Sequence, residues 1–121
     1  MDPTHQFKKP VKLQEGKRSL FRFPYDILPD ICDVLNQGAL KHDDHNWRQG
    51  CGYTELLDPA LRHLLAWACG DSTDRESGKS HLLHAICCLL FLAVYEKTGT
   101  GVDDRFSCVK FYNDSWTGID R

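Results

Sequence analysis

Several common signatures of nucleotide-binding and hydrolytic enzymes are missing from this sequence of 121 residues. It contains neither G-x-x-x-x-G-K-[ST] nor G-x-G-x-x-G, so neither a phosphate-binding loop nor a Rossmann site is indicated. It also lacks the G-x-S-x-G elbow of many serine hydrolases. The six cysteines form no C-x-x-C pair, and no apolar leader precedes them. We therefore expect free, mostly buried thiols in a reducing cytoplasm.

Long apolar runs are also scarce. The longest run, residues 82–95, contains His84 and is too short to span a bilayer. We interpret it as a core helix and expect no membrane association.

Charge is distributed unevenly, although the net charge is only −2. Residues 1–24 carry +4, which leaves −6 for the remainder of the chain. The basic arm, residues 1–15, can attract phosphate groups, or it can be a solvated tail. Nucleic acid is not the partner that we expect.

Apolar residues at helical spacing predict two helices in the first half of the chain. One covers about residues 29–41, with Gly38 marking its end or a close approach of another backbone. The other is capped by Asp58, has Pro59 at its first position and ends at Gly70. We expect its buried stripe to consist of Leu61, Leu64, Leu65 and Ala68.

A third helix is predicted over about residues 79–97, capped by Ser77 or Gly78. It is apolar nearly all round, which is typical of a helix at the centre of a core. Its few polar residues fall on roughly one stripe, formed by His81, His84, Cys88 and Tyr95. Residues 98–121 read as an irregular tail in which residues 107–112 are compatible with a short strand.

These patterns together predict one mainly α domain over residues 1–121. We expect a compact bundle of about three main helices, two of them antiparallel, with a basic N-terminal arm and an irregular C-terminal tail. A domain of this size often gains stability by self-association, so a homo-oligomer is expected, with sites that can lie between subunits.

The histidines give the first candidate site. His81 and His84 lie three residues apart on one helix face, as two imidazole ligands of a metal ion would. Glu76 would add a carboxylate, and His63 on the preceding helix would be a fourth group. A divalent ion held there would polarise a phosphate and activate water. Hydrogen bonding to phosphate and a purely structural role are the alternatives.

The polar loop of residues 42–54 gives the second candidate site. Within it, the Trp47 indole is suited to stack on a base, the Asn46 amide to read its edge and the Arg48 guanidinium to hold phosphate. The indole is equally suited to plug the core, and one tryptophan can do both.

Arg62 and the paired carboxylates each have two interpretations. Arg62 offers a planar fork for phosphate oxygens, or it forms an ion pair with Asp74 or Glu76. Two carboxylate pairs at helical spacing are suited to magnesium, or are solvated faces and helix caps. These pairs are Asp30 with Asp33 and Glu55 with Asp58.

Four segments carry a family resemblance. They read GKRSLFRFPYDILPD, GALKHDDHNWRQG, LRHLLAWACGD and TDRESGKSHLLHAICCLLFL, in this order, and lie within residues 16–95. Together they resemble a phage and prophage family named after the N-terminal domain of dATP/dGTP diphosphohydrolase. That family is similar to the MazG-like all-α nucleotide pyrophosphohydrolases. Its recurring polar positions correspond to Lys41, Asn46, Trp47, Arg48, Arg62, His63, Trp67, Asp74, Glu76, Ser77, His81 and His84.

The resemblance implies hydrolysis of a purine deoxynucleoside triphosphate to the monophosphate and pyrophosphate. It places the protein in the cytoplasm of a phage-infected or prophage-carrying bacterium. The divalent cofactor that we expect is Mg²⁺ or Mn²⁺, or Zn²⁺ if the histidines are its ligands. The chain departs from the family at His42, where tyrosine is usual. MazG-type enzymes also hold magnesium with an E-x-x-E helix and an E-x-x-D helix. His81 and His84 stand where the second motif would be, and imidazoles are poor magnesium ligands.

Two main functional hypotheses follow. In the first, Glu76, His81 and His84 hold the metal and His63 joins the catalytic group, while Lys41, Arg48 and Arg62 neutralise the triphosphate and Trp47 stacks on the purine. The ligand-binding set is completed by Asn46, Trp67, Asp74 and Ser77. In the second, the same groups bind a nucleotide-derived signal without turnover, as a phage protein that sequesters a host immune messenger would. A third hypothesis is an accessory role through the basic arm.

Overall fold

A computed structural model describes residues 16–43 and 46–107, together with Val109 and Tyr112. Three α-helices make up most of this part: α1 (Leu28–His42), α2 (Tyr53–Ala68) and α3 (His81–Thr98). Three short 3-10 turns accompany them, at Leu20–Arg22, Tyr25–Ile27 and Asn46–Gln49. The prediction of a mainly α protein with three principal helices is confirmed. The predicted basic arm of residues 1–15 lies outside the described residues.

Helix α1 matches its predicted bounds to within one residue. A proline stands in its first turn, where a missing N–H costs nothing, and Ile31 and Val34 are its buried residues. The expectation for Gly38 was wrong, because this glycine lies inside the helix. An added Cβ would meet no atom within 4 Å there.

Helix α2 begins five residues before the predicted cap at Asp58, so Pro59 lies inside it. The earlier start has two causes. The Glu55 carboxylate accepts a hydrogen bond from Gly52 N at 2.8 Å. The Asp104 carboxylate accepts from Thr54 N at 2.9 Å and from Thr54 Oγ1 at 2.7 Å. Asp104 thus provides the capping oxygen that Gly52, having no side chain, cannot provide.

The segment that follows α3 is held against the start of α2. Tyr53 N donates to the Val102 carbonyl at 2.9 Å, and Val102 N donates to the Cys51 carbonyl at 3.0 Å. Gly101, with φ of 79°, approaches so closely that a Cβ would lie 2.6 Å from the Cys51 oxygen. The predicted strand over residues 107–112 is wrong where it can be checked, because Val109 and Tyr112 have helical backbone.

Helix α3 begins two residues later than predicted. Its cap is Ser80 instead of Ser77 or Gly78, and Ser80 Oγ accepts from Leu82 N at 3.1 Å. Helix α2 ends at Ala68, and the predicted stop Gly70 follows its C-cap with a φ of 97°, which is accessible to glycine. Tyr53 stacks on Tyr95, whereas His63 contacts His81, so α2 and α3 run antiparallel.

The core lies around α3, which packs against both α1 and α2. Ile31, Val34 and Cys87 form its centre between α1 and α3. The predicted buried stripe of α2 was wrong: Leu61, Leu64, Leu65 and Ala68 are all exposed. Ala60 is instead the buried residue of α2, with 1% of its surface exposed. Three helices in one layer do not enclose α3, so much of the apolar surface is left outside the core.

Five of the cysteines are free, as predicted, and Cys108 lies outside the described residues. The expectation that most are buried was wrong, because Cys32 and Cys69 are exposed and only Cys87 is fully buried. Burial raises the pKa of the Cys87 thiol to about 11.

By length and composition alone, α3 meets the requirements for crossing a membrane, with a mean hydropathy of 1.3 over its 18 residues. This is weak evidence, since the core helix of a soluble protein satisfies the same test.

Candidate functional site

Three histidines meet where the C-terminal half of α2 faces the start of α3. His63 Nδ1 lies 2.8 Å from His81 Nδ1, a hydrogen bond between two imidazoles. The His63 ring also stacks on the His84 ring, with centroids 4.7 Å apart and planes 14° from parallel. His81 is buried, whereas His63 and His84 are partly buried. The helical spacing of His81 and His84 therefore brings both imidazoles to His63, as the sequence suggested.

Asp71 favours one tautomer of His81. Its Oδ2 lies 3.4 Å from His81 Nε2, and a carboxylate only accepts, so this contact suits a proton on Nε2. In that tautomer His81 Nδ1 accepts from the Nδ1–H of His63. The Nε2 atom of His63 then keeps its lone pair, which is what a general base requires.

Asp74 and Ser77 complete the cluster from the loop between α2 and α3. Ser77 Oγ lies 2.6 Å from His84 Nε2, and Asp74 Oδ2 lies 3.6 Å from the same nitrogen. Ser77 N donates to Asp74 Oδ2 at 2.9 Å. Two hydrogen bonds within this loop hold it in a tight turn. Asp74 N donates to the Lys79 carbonyl, and Gly78 N donates to the Asp74 carbonyl.

The environment lowers the pKa values of both His63 and Asp74. Burial lowers the pKa of His63, and the neighbouring His84 and His81 lower it further against the opposing effect of Asp74. Burial alone would raise the pKa of Asp74. Hydrogen bonds from the Ser77 backbone and side chain, with the nearby histidines, outweigh it and leave that pKa below its ordinary value. At neutral pH the cluster thus combines a neutral imidazole with an ionised carboxylate.

Ion pairs tie the loop that carries Asp74 and Ser77 to α1. Lys41 pairs with Glu76. Lys79 Nζ lies 3.0 Å from Asp33 Oδ2 and 3.3 Å from Asp30 Oδ1. The carboxylates of Asp30, Asp33 and Glu76 are therefore engaged by lysines. Glu76, a predicted metal ligand, pairs with Lys41 and is not part of the histidine cluster.

The Asn46–Gln49 turn lies further along the same side of α3. The Trp47 indole stacks on Phe91, with centroids 4.4 Å apart and planes 16° from parallel, and its carbonyl accepts from the Tyr95 hydroxyl. The Arg48 guanidinium lies 4.3 Å from the centre of the indole. Trp47 thus packs on the core, and a base would stack on it only if Arg48 moved aside.

One face of α3 connects the two candidate sites. Phe91 follows His84 by seven residues, so the two side chains share a face of α3 about 10 Å apart. The Trp47 turn and the histidine cluster therefore lie at two ends of one surface. Arg62 and Trp67 are exposed residues of α2 that lie on either side of His63 in sequence. The positive charge of Arg62 acts to lower the pKa values of both His63 and Cys88.

The donor set of His63, Asp74 and His81 fits a divalent cation. One ligand atom from each lies within 4.8 Å of the others. Two imidazoles and a carboxylate suit zinc, manganese or cobalt better than magnesium, which prefers oxygen ligands. The set differs from the predicted Glu76, His81 and His84. Ligation also requires that the proton shared by His63 and His81 leave, because a ligating nitrogen cannot carry one.

Comparison with known proteins identifies the family of the chain. The sequence model of the family described as "dATP/dGTP diphosphohydrolase, N-terminal" matches residues 8–105. The chain belongs to this family. It is 30% identical over 95 residues to the dATP/dGTP diphosphohydrolase of Salmonella phage PMBT28. No solved structure matches the chain significantly.

The matched region of that phage relative is only part of it. The alignment covers 78% of this chain but 32% of the relative, so the chain spans about a third of the length of this diphosphohydrolase. The family thus identifies the domain, while the activity of the complete relative belongs to a protein about two and a half times as long as this chain.

Sequence reasoning missed two residues of the site. Asp71 follows Gly70 in a segment that the sequence predicts only as a turn. Its carboxylate contacts and orients the His81 imidazole. Lys79 read as the first helical residue, yet it reaches back to α1. The signal for Lys79 was present, since two acidic residues three apart on α1 need a cation partner.

Proposed function

We propose that this domain binds a purine deoxynucleoside triphosphate and hydrolyses it to the monophosphate and pyrophosphate. The observation that carries the proposal is the cluster of His63, His81 and His84 with Asp71 and Asp74, because it combines an oriented base with a possible cation site. The name of the family, and of the phage relative, supports the substrate class.

The chemistry needs a base, positive charge and a nucleophile. A water oxygen forms a bond to phosphorus, the α–β phosphoanhydride bond breaks, pyrophosphate leaves, and one water proton goes to a base. His63 Nε2 is the group that we assign as that base, with Asp71 and His81 holding the imidazole in its reactive tautomer. Arg62 and Arg48 are the exposed guanidinium groups that we expect to bind the phosphate oxygens.

When a divalent ion is held by His63, Asp74 and His81, it would polarise a phosphate oxygen and lower the pKa of bound water. His63 is then a ligand and not the base, and the lowered pKa of the bound water takes the place of proton removal by His63. The residues present favour Mn²⁺ or Zn²⁺ over Mg²⁺. We therefore propose a metal set in which Asp74 takes the place of Glu76, His63 and His81 are ligands, and His84 is not. His84 then acts on the cluster by stacking on His63 and by its contact with Ser77.

A second candidate function is nucleotide binding without turnover. It is favoured by the engagement of Asp30, Asp33 and Glu76 with lysines, which removes three carboxylates that a magnesium-dependent hydrolase would use. It is also favoured by the short match to the phage relative. A phage protein of this kind would sequester a nucleotide-derived signal of the host.

One assay separates these functions. Metal-stripped protein is incubated with dATP, dGTP and other purine nucleotides, with and without Mn²⁺, Zn²⁺ or Mg²⁺, and both products and retained ligand are separated by chromatography. Release of monophosphate and pyrophosphate that His63→Ala abolishes and His42→Ala preserves would establish hydrolysis at this cluster. His42 is the matched control because it is an exposed histidine at the end of α1. Intact nucleotide retained without product under every condition would establish binding alone.

A further inference from the structure

One flank of α2 and α3 is an apolar face left uncovered within the protomer. It contains Leu61, Leu64 and Leu65 of α2, which are 53%, 39% and 65% exposed, and Leu89 of α3, which is 47% exposed. Scattered exposed leucines are normal on a protein surface, but a contiguous group is a mark of an interaction site.

The helical register shows that these leucines are contiguous. Leu57 of α2 and Ala93 of α3 line the same shallow cavity, so they mark where the two helices adjoin on this side. Leu61 follows Leu57 by four residues, and Leu89 precedes Ala93 by four. Because the helices are antiparallel, Leu61 and Leu89 continue the same face by one turn in the same direction. We call Leu61, Leu64, Leu65 and Leu89 the leucine face.

The leucine face lies away from the histidine cluster. His84 and Leu89 differ by five residues, which places them well over 90° apart around α3. A partner on the leucine face therefore leaves the imidazoles of the histidine cluster open, and it engages the candidate site only through Arg62 at its edge. This inference does not depend on the proposed activity.

The size of the face fits the apolar centre of a protein interface. A leucine side chain offers on the order of 100 Å² of apolar surface by the transfer scale. Four half-exposed leucines with their partly exposed neighbours, Leu57 and Ile86, thus give a few hundred Å². A standard interface buries about 800 Å² on each partner, of which a polar rim forms a large share.

The charges beside the face are arranged for self-association. Asp58 and Arg62 are both exposed and flank Leu61 and Leu65 on the side of α2 away from α3. They are four residues apart. When two copies of α2 cross antiparallel near Leu61, the two-fold axis places the carboxylate of one copy by the guanidinium of the other.

We propose that a second copy of this chain covers the leucine face, with α2 packed against the antiparallel α2 of the partner. The two α2–α3 hairpins then form a four-helix arrangement, which closes the layer that a single protomer leaves open. The leucines that the sequence pattern marks as a buried stripe become buried in this dimer.

The test is the mass of the full chain in solution, measured by light scattering during size exclusion. We expect twice the protomer mass of 13.9 kDa. The double variant Leu61→Ser, Leu65→Ser should be monomeric. Leu40→Ser is the matched control, because Leu40 is 91% exposed but lies at the far end of α1, and it should remain dimeric.

Exchanging the charges of Asp58 and Arg62 tests whether the partner on the leucine face is a second copy of this chain. This test remains valid if the leucine variants fail to fold. Asp58→Arg sets two cations against each other across the axis, and Arg62→Asp sets two acids. Each single variant should raise the dimer dissociation constant by about tenfold or more, and the double exchange should restore it. A monomeric wild-type protein would overturn the proposal and point to a different partner on the face. Single variants that associate like the wild type, or a double exchange that fails to restore the dimer, would overturn it as well.

Discussion

Histidine spacing carries most of the site chemistry at the scale of single residues. His81 and His84 were recognised because three residues separate them on a helix, and His63 because an arginine and a histidine adjoin on the preceding helix. Their roles depend on atoms that spacing does not specify. The tautomer of His63 follows from Asp71, which acts through His81 over two contacts.

The metal set gives a prediction at this scale. His81→Ala and Asp74→Asn should each weaken binding of Zn²⁺ or Co²⁺ by at least about 100-fold, since the first removes an imidazole ligand and the second replaces a charged carboxylate with a neutral amide. His84→Ala should weaken it less, because His84 only supports the ligands. Calorimetry with Zn²⁺ and the visible absorption of the Co²⁺ form measure this directly.

Glu76→Gln is the informative comparison for that series. Glu76 pairs with Lys41, so its substitution should leave metal affinity unchanged. Affinity that depends on Glu76 and His84 but not on Asp74 would show that the ligand set expected from the sequence is correct and that the revised set is wrong.

At the scale of elements, helix ends are decided by contacts from distant parts of the chain. The sequence signal for α2, an aspartate before a proline, is a good local start, yet the helix begins at Tyr53. The reason is Asp104, fifty residues away, which binds the free N–H of Thr54. Likewise Ser80 caps α3 in place of Ser77, because Ser77 is engaged with Asp74 and His84.

The cap formed by Asp104 gives a prediction for thermal stability. Asp104→Ala should lower the Tm by a few degrees, because it leaves the N–H and the hydroxyl of Thr54 at the start of α2 without their carboxylate acceptor. Asp103→Ala should lower it less, since Asp103 forms an exposed pair with Arg105. Thermal melts followed by circular dichroism compare the two variants.

The same cap should depend on pH. Hydrogen bonds from the Thr54 backbone and side chain hold the pKa of Asp104 below its ordinary value of 3.8. A group with a lowered folded-state pKa stabilises the fold above its unfolded-state pKa, and this contribution is lost as the pH falls through the folded-state value. The Tm difference between wild type and Asp104→Ala should therefore be constant near neutral pH and shrink below about pH 4. A difference that grows on acidification would contradict the assignment.

At the scale of the whole molecule, three helices in a row leave α3 uncovered on one side. A protomer that completes its core only by association should be more stable when it is more concentrated. We expect the Tm of the wild type to rise with protein concentration, and that of Leu61→Ser, Leu65→Ser to be independent of it. Differential scanning fluorimetry over a wide concentration range measures both, and a flat wild-type profile would argue against assembly.

The sequence by itself determined the local properties of this protein. Apolar periodicity located α1 to within a residue, Gly70 ended α2 as expected, and the order of N-W-R, R-H-L-L-A-W and E-S-G-x-x-H-L-x-H identified the family. These features depend on neighbours a few residues apart, where helix geometry fixes which side chains meet.

Only the tertiary structure decided which faces are buried and which carboxylates belong to the site. The amphipathic pattern of α2 predicts that Leu61 and Leu65 are buried, but the fold leaves both side chains exposed. Asp74 joins the histidines and Glu76 does not, although they are two residues apart, because the turn directs one side chain to the imidazoles and the other to Lys41. Contacts between residues distant in the chain set these choices, and no local pattern contains them.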